Sequence, residues 1–177
     1  MKHDEKSDKK QSLLIHLSLL PQKILSLHGR ADLTELVLSD LCQEYCFNLK
    51  KAAFFVDNPD FNCLKGVAGY SHQENPTVCD QRWDHPDRFM ARIKESSFNR
   101  KVRELQLDSL ILSNASRQEI VNKIAGDLAI DHPQCAVLPM KHNNHGLLIF
   151  QKQDSADTFV DEHLSSGLAM LGFCPIY

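Results

Sequence analysis

The sequence has no Cys-x-x-Cys pair among its six cysteines, no Gly-x-Ser-x-Gly nucleophile motif, no apolar run long enough to span a membrane, and one tryptophan. Each absence excludes something. Cys42, Cys46, Cys63, Cys79, Cys135 and Cys174 are scattered and mostly sit inside apolar runs, so they read as reduced, structural thiols rather than a disulfide framework. Nothing marks an activated nucleophile, and no catalytic residue is expected. Met1 to Gln11 is charged throughout and lacks the apolar stretch of a signal peptide. With no membrane span elsewhere, the expectation is a cytoplasmic protein that does not engage a membrane. A net charge of -3 gives no general attraction to nucleic acid either. Gly66 and Gly69 do not form a phosphate loop, because no helix start follows them, and no cofactor is expected.

What is present suffices for one core. The chain has 177 residues, 42% of them hydrophobic and 24% charged, which suits one domain better than two. Residues 1–11 combine high charge with almost no apolar content and read as a disordered charged tail; 12–177 read as the domain. Leu13, Leu14, Leu17, Leu19 and Leu20 open an apolar helical stretch that Pro21 is expected to split into two pieces. Asp32 and Glu35 have the spacing of a capping box, and Leu33, Leu36, Val37, Leu41 and Tyr45 trace one face of the helix that follows. Cys42 and Cys46 fall one turn apart there; packing explains them better than half a metal site does.

Two strands come next, Ala52–Asp57 and Leu64–Tyr70, joined by the turn residues Asp57-Asn58-Pro59-Asp60. Asp57 is expected to tie its own backbone, and Gly66 with Gly69 to mark a bulge or a close approach. From His72 to Pro86 the chain is polar around Trp83, and Pro86-Asp87 starts a helix with Phe89, Ile93 and Phe98 inward. Leu110-Ile111-Leu112 reads as a short strand. Ser113 to Ser116 then cap a helix over 117–130 that His132-Pro133 stops.

The last third organises the chain. Cys135 to Met140 and Leu147 to Phe150 are apolar runs around a polar turn in which Asn143-Asn144 tolerate positive φ, so they form a hairpin. Because both runs are nearly continuous, the hairpin is expected to be central and covered on both faces. A helix opening at Thr158–Glu162 follows, with Leu164, Leu168 and Leu171 on one side. His142 and His145 could face one ion across the turn, but no carboxylate or cysteine at ligand spacing accompanies them, and no metal site is expected.

This ordered set, a leucine-rich helix, the two early strands, the Leu-Pro strand with its turn and Gly-led return strand, and Phe159-Val160-Asp161-Glu162 before a small-residue helix, resembles a GAF domain over roughly residues 20 to 173. Ser109 to Leu112 followed by Asn114 and the Leu-Pro strand is similar to the GAF-like domain of bacterial HDOD signalling proteins. The resemblance implies an α/β (α+β) fold with a central antiparallel sheet of five or six strands. The N- and C-terminal helices would pack on one face and the segment 73–130 would lie across the other. It implies a regulatory or sensory module without its own catalysis, whose small-molecule ligand would sit against a wall formed by Trp83, His85, Arg88, Phe89 and Arg92. It also implies a homodimer through the terminal helices, since those leucines offer more apolar surface than one sheet face covers. Two alternatives stay open. A redox enzyme of the free methionine sulfoxide reductase type would use Cys63, Cys79 and Cys135, and an interaction module would have a closed, side-chain-filled pocket. Gln151-Lys152 departs from the Asn-Lys of the cyclic-nucleotide-binding branch, and the gap from Phe159 to Asp161-Glu162 is too short for it.

Overall fold

A computed structural model describes residues 2–75, 82–153 and 159–174, the side chains of 2–6 and 159–162 aside. Its centre is a five-stranded antiparallel sheet in the order β3-β2-β1-β5-β4, built from β1 (Leu49–Asn58), β2 (Cys63–Ser71), β3 (Gln106–Leu107), β4 (Gln134–Pro139) and β5 (His145–Lys152). Alternation along the inner strands sends side chains to two cores. Ala52, Phe54, Ala68, Tyr70, Leu148 and Phe150 meet the helices from the ends of the chain: α1 (Lys2–Ser26), α2 (Leu33–Leu41) and α6 (Phe159–Ala169). Ala53, Phe55, Leu64, Leu147 and Ile149 meet α4 (Ser97–Glu104) and α5 (Arg117–Asp127). The helix α3 (Pro86–Glu95) packs against α2 and α4.

The helices α1, α2 and α6 therefore meet one face of the sheet and α4 and α5 the other, whereas Trp83 and Phe89 of the segment 73–130 pack against the core of the first face. Several expectations are corrected. The boundary at 11/12 falls inside a helix, because α1 runs unbroken from Lys2 through Pro21 to Ser26. Residues 2–13 contain no glycine, proline or β-branched residue and include four lysines, which helices accept readily. Beyond them, Leu13, Leu17, Leu20 and Ile24 form one buried seam that continues past the proline on the exposed side. Leu164, Leu168 and Leu171 are likewise buried within their own chain, so of the leucines on which dimerisation was argued only Leu14 is left substantially exposed, beside Ile15, Leu19 and Leu25.

The start of α2 also differs, since Asp32 makes no side-chain cap and instead binds Arg30, while Glu35 pairs with Arg103. The helix ends at Leu41, which puts Cys42, Tyr45 and Cys46 in the turn after it. The final hairpin forms, but only β5 is central; β4 is an edge strand with Val137 exposed. Pro139 is compatible with that edge because it cannot donate to a second neighbour. Its turn has positive φ at His142 (58°) and Asn143 (57°), one residue earlier than expected, and Asn144 N donates to Lys141 O at 3.3 Å. That is the primed geometry which matches strand twist.

Leu110-Ile111-Leu112 is a turn, not a strand, and Ile111 and Leu112 are exposed. The backbone there is held by side chains: Leu110 N donates to Asp57 Oδ1 at 3.2 Å and Ser109 N to Asn62 Oδ1 at 3.1 Å. Asp57 thus ties a distant segment rather than its own backbone. At α5, Ser116 and Glu119 make the full capping box, while the helix stops at Asp127, short of Ile130, where Ala129 turns left-handed (φ 50°).

Candidate functional site

The buried helix α2 carries two buried carboxylates, Glu35, which pairs with Arg103, and Asp40, one residue from the helix end. Asp40 is 1% exposed, and such a group is tolerated only when partners replace the lost water. Three elements supply them. His16 of α1 places Nε2 2.8 Å from Asp40 Oδ2, and Tyr45, in the turn after α2, donates from its hydroxyl to Oδ1 at 2.7 Å. Arg82, just before α3, brings Nε to 3.9 Å from Oδ1 and donates from Nη1 to Ser39 Oγ at 2.9 Å. Burial alone would raise the Asp40 carboxyl. The bonds with His16 and Tyr45 and the Arg82 charge outweigh it and hold the group below its ordinary value. Burial, then the Asp40 charge, push the Tyr45 phenol up, so it remains a donor.

A cavity of about 310 Å³ opens over this cluster, between α1 and the Arg82-Trp83 segment. Ile15, Leu19 and the indole of Trp83 supply apolar surface, and Lys23 Nζ stands 5.5 Å from the Trp83 ring centroid. Arg82 is 7% exposed, yet among the described residues its Nε has no hydrogen-bond partner, and neither has Trp83 Nε1. Asp40 already accepts from both sides. The wall thus combines two permanent cations, Lys23 and Arg82, with one carboxylate.

The expected ligand wall is only partly assembled. Trp83 lines the cavity; Phe89 is half-buried beside the Arg82 guanidinium, 5.8 Å from ring to Cζ; His85, Arg88 and Arg92 point into solvent. Across the sheet, where the resemblance puts a ligand, Phe98, Val102, Ile120, Val121 and Ile124 pack against Phe55 and Ile149. His16, Lys23, Asp40 and Tyr45 were not anticipated from the sequence. A signal existed in the lone aspartate between Leu38 and Leu41, because a charge inside an apolar helical run implies a buried partner.

Two further cavities, of about 530 and 430 Å³, flank the ion pair between Glu35 and Arg103. Cys63 lines the larger one with Lys65. Cys135 lies three strands away, roughly 14 Å from strand spacing alone, and Cys79 falls outside the described residues. The five described cysteines are free. Among the described residues no group of three or more His, Cys, Asp or Glu is placed to hold a metal ion; His142 is exposed and His145 half-buried.

Burial pushes the Cys174 thiol up to about 12 and raises Cys42 and Cys46 as well. Native protein at pH 8 should therefore lose Cys63 and Cys135, which are only half-buried, to a thiol reagent well before those three, whose burial both blocks the reagent and disfavours the thiolate. Mass mapping of the labelled sites reads this directly, and labelling of Cys42, Cys46 or Cys174 at the Cys63 rate before unfolding would contradict it. Compared with family models and with curated proteins, the chain matches none.

Proposed function

We propose that the chain is a cytoplasmic regulatory or sensory module of GAF-like design, similar to those of bacterial HDOD signalling proteins, which binds a small molecule and leaves any output to another domain or protein. The antiparallel order β3-β2-β1-β5-β4, with both chain ends helical on one face, supports that design. The single observation that carries ligand sensing is the cavity over Asp40, where a buried arginine and the one tryptophan meet at an opening. The interior between the sheet and α4 and α5 is filled by side chains, so this reading puts the ligand on the side of the terminal helices. The separation of Cys63 from Cys135 gives the reductase reading no support.

Sensing of this kind has a direct test. In a thermal-shift screen of small metabolites, at least one compound at a hundred times its dissociation constant should stabilise the protein by about 2.7 kcal/mol, raising the melting temperature by roughly 5–10 °C. The same compound should change the emission of Trp83. A screen in which no compound does either, or turnover of free methionine sulfoxide by the purified protein, would reject the proposal.

A further inference from the structure

We infer that the outer edge of β4 is a dimerisation surface, on which a second copy of this chain adds its own β4 in antiparallel register about Ala136 and joins the two five-stranded sheets into one. This stands apart from the sensory reading above. The edge can be read from the hairpin. Met140 N donates to Asn144 O at 2.9 Å, so its backbone faces β5, and with a period of two so does that of Leu138, Ala136 and Gln134. Cys135, Val137 and Pro139 alternate with them and turn their N–H and C=O positions away from the sheet. β4 is the last strand on that side, and among the described residues no hydrogen bond reaches the outward groups of Cys135 and Val137. Exposed edges are commonly blunted along their length by lysine, a bulge or a covering helix. β4 carries no charged residue, and Val137 in it is 39% exposed.

The occupant follows from the symmetry of what the edge offers. Pro139 belongs to the outward set, Pro133 just before the strand continues the same alternation, and neither has an N–H. A two-fold axis at Ala136 sets Cys135 opposite the partner's Val137, so both N–H groups of each copy meet a carbonyl, and it sets Pro133 opposite the partner's Pro139. Moving the axis one residue either way opposes a proline to Cys135 or Val137 and leaves that residue's carbonyl without a donor. Charge selects the same arrangement. Asp131 is exposed at one end of the strand and Lys141 at the other, so an antiparallel copy brings each aspartate to the partner's lysine, whereas a parallel one would set like charges together. An unrelated extended peptide would meet the same backbone groups but not the paired charges. The far edge of the sheet, β3, has only two residues, so the assembly closes as a dimer and does not grow into a fibre.

Ala136→Cys in the full chain tests the register directly. Residue 136 faces its own copy across a non-hydrogen-bonded pair, where Cα atoms stand about 4.5 Å apart, within disulfide reach. Mild oxidation should trap most of the protein as a dimer bridged between the two introduced thiols, as mass mapping reads, while Lys123→Cys, exposed on α5, should give no such dimer at equal concentration. A bridge joining Cys135 to Cys135 would move the axis and overturn the register. Sedimentation equilibrium of the parent protein, taken up to about 1 mM, should show a monomer and dimer in exchange. Val137→Lys, at an exposed position, should weaken that dimer at least about tenfold and leave the melting temperature of the dilute protein unchanged. Asp131→Lys should weaken it several-fold, and adding Lys141→Asp to that variant should recover the loss, because the charges are exchanged and the pairing is kept. A parent that stays monomeric throughout refutes the inference, whatever peptide the edge takes up. So does a dimer that survives Val137→Lys, since it must lie on another face, or one that the charge exchange does not restore.

Discussion

Replacing Asp40 with asparagine should cost the domain about 3–5 kcal/mol at neutral pH, because it leaves Arg82 buried without its counter-charge. The side chain is isosteric, so packing is nearly unchanged and the loss is electrostatic. His16 and Tyr45 lose a charged acceptor in the same step. Urea unfolding at pH 7 measures the effect, and a loss under about 1 kcal/mol, the level of an exposed pair, would show that the cluster is solvated rather than buried.

The pH dependence gives the sign. Asp40 has its carboxyl held below its ordinary value in the folded state, so its contribution is complete above the unfolded value, about 3.9, and is lost as pH falls through the folded value. The stability gap between the parent protein and Asp40→Asn should therefore be widest at neutral pH and narrow under acid. Glu35, which burial pushes upward against the opposing Arg103 charge, is common to both proteins and cancels in the difference. A gap independent of pH would assign the loss to shape rather than charge.

The second large effect belongs to Gly66. A Cβ built there would stand 1.8 Å from the carbonyl oxygen of Val102 and 2.7 Å from its carbon. Both are backbone atoms of α4, so no rotamer change relieves the overlap. Gly66 N also donates to Leu105 O at 3.0 Å, just past the end of that helix, which fixes the approach from both sides. Gly66→Ala should destabilise by about 3 kcal/mol or more, at or above the upper end of overpacking effects. Gly126→Ala in α5 is the matched control: nothing lies within 4 Å of its Cβ position, so the change should raise stability by about 0.5–1 kcal/mol. Equal melting temperatures for the two variants would contradict the close packing of α4 on β2.

Much of the framework is legible in the chain because it is local. Period-two and apolar runs mark β1, β2 and β5, the Ser116 and Glu119 spacing marks the start of α5, and Gly66 with Gly69 announces a bulge and a close approach. Both occur: the register between β1 and β2 slips at Phe54/Phe55, and α4 crosses over the two glycines. The errors fall where a local pattern admits two answers. An apolar run does not say whether its strand will have one neighbour or two, so β4 read as central although Pro139 suits an edge. Leu110-Ile111-Leu112 has strand composition, but Asp57 and Asn62, distant in sequence, take its neighbourhood's backbone donors.

The sequence by itself determined the mixed class, the hairpins and the helix that Ser116 caps, since these follow from periodicity and from hydrogen bonds spanning a few residues. Only the tertiary structure decided the site. His16, Asp40 and Arg82 lie 24 and 42 positions apart along the chain, and none carries a motif. They meet because α1 buries its leucine seam in the same core as α2 and α6, which leaves a carboxylate in an apolar layer. A charge in such a layer must be matched by whatever the fold brings beside it.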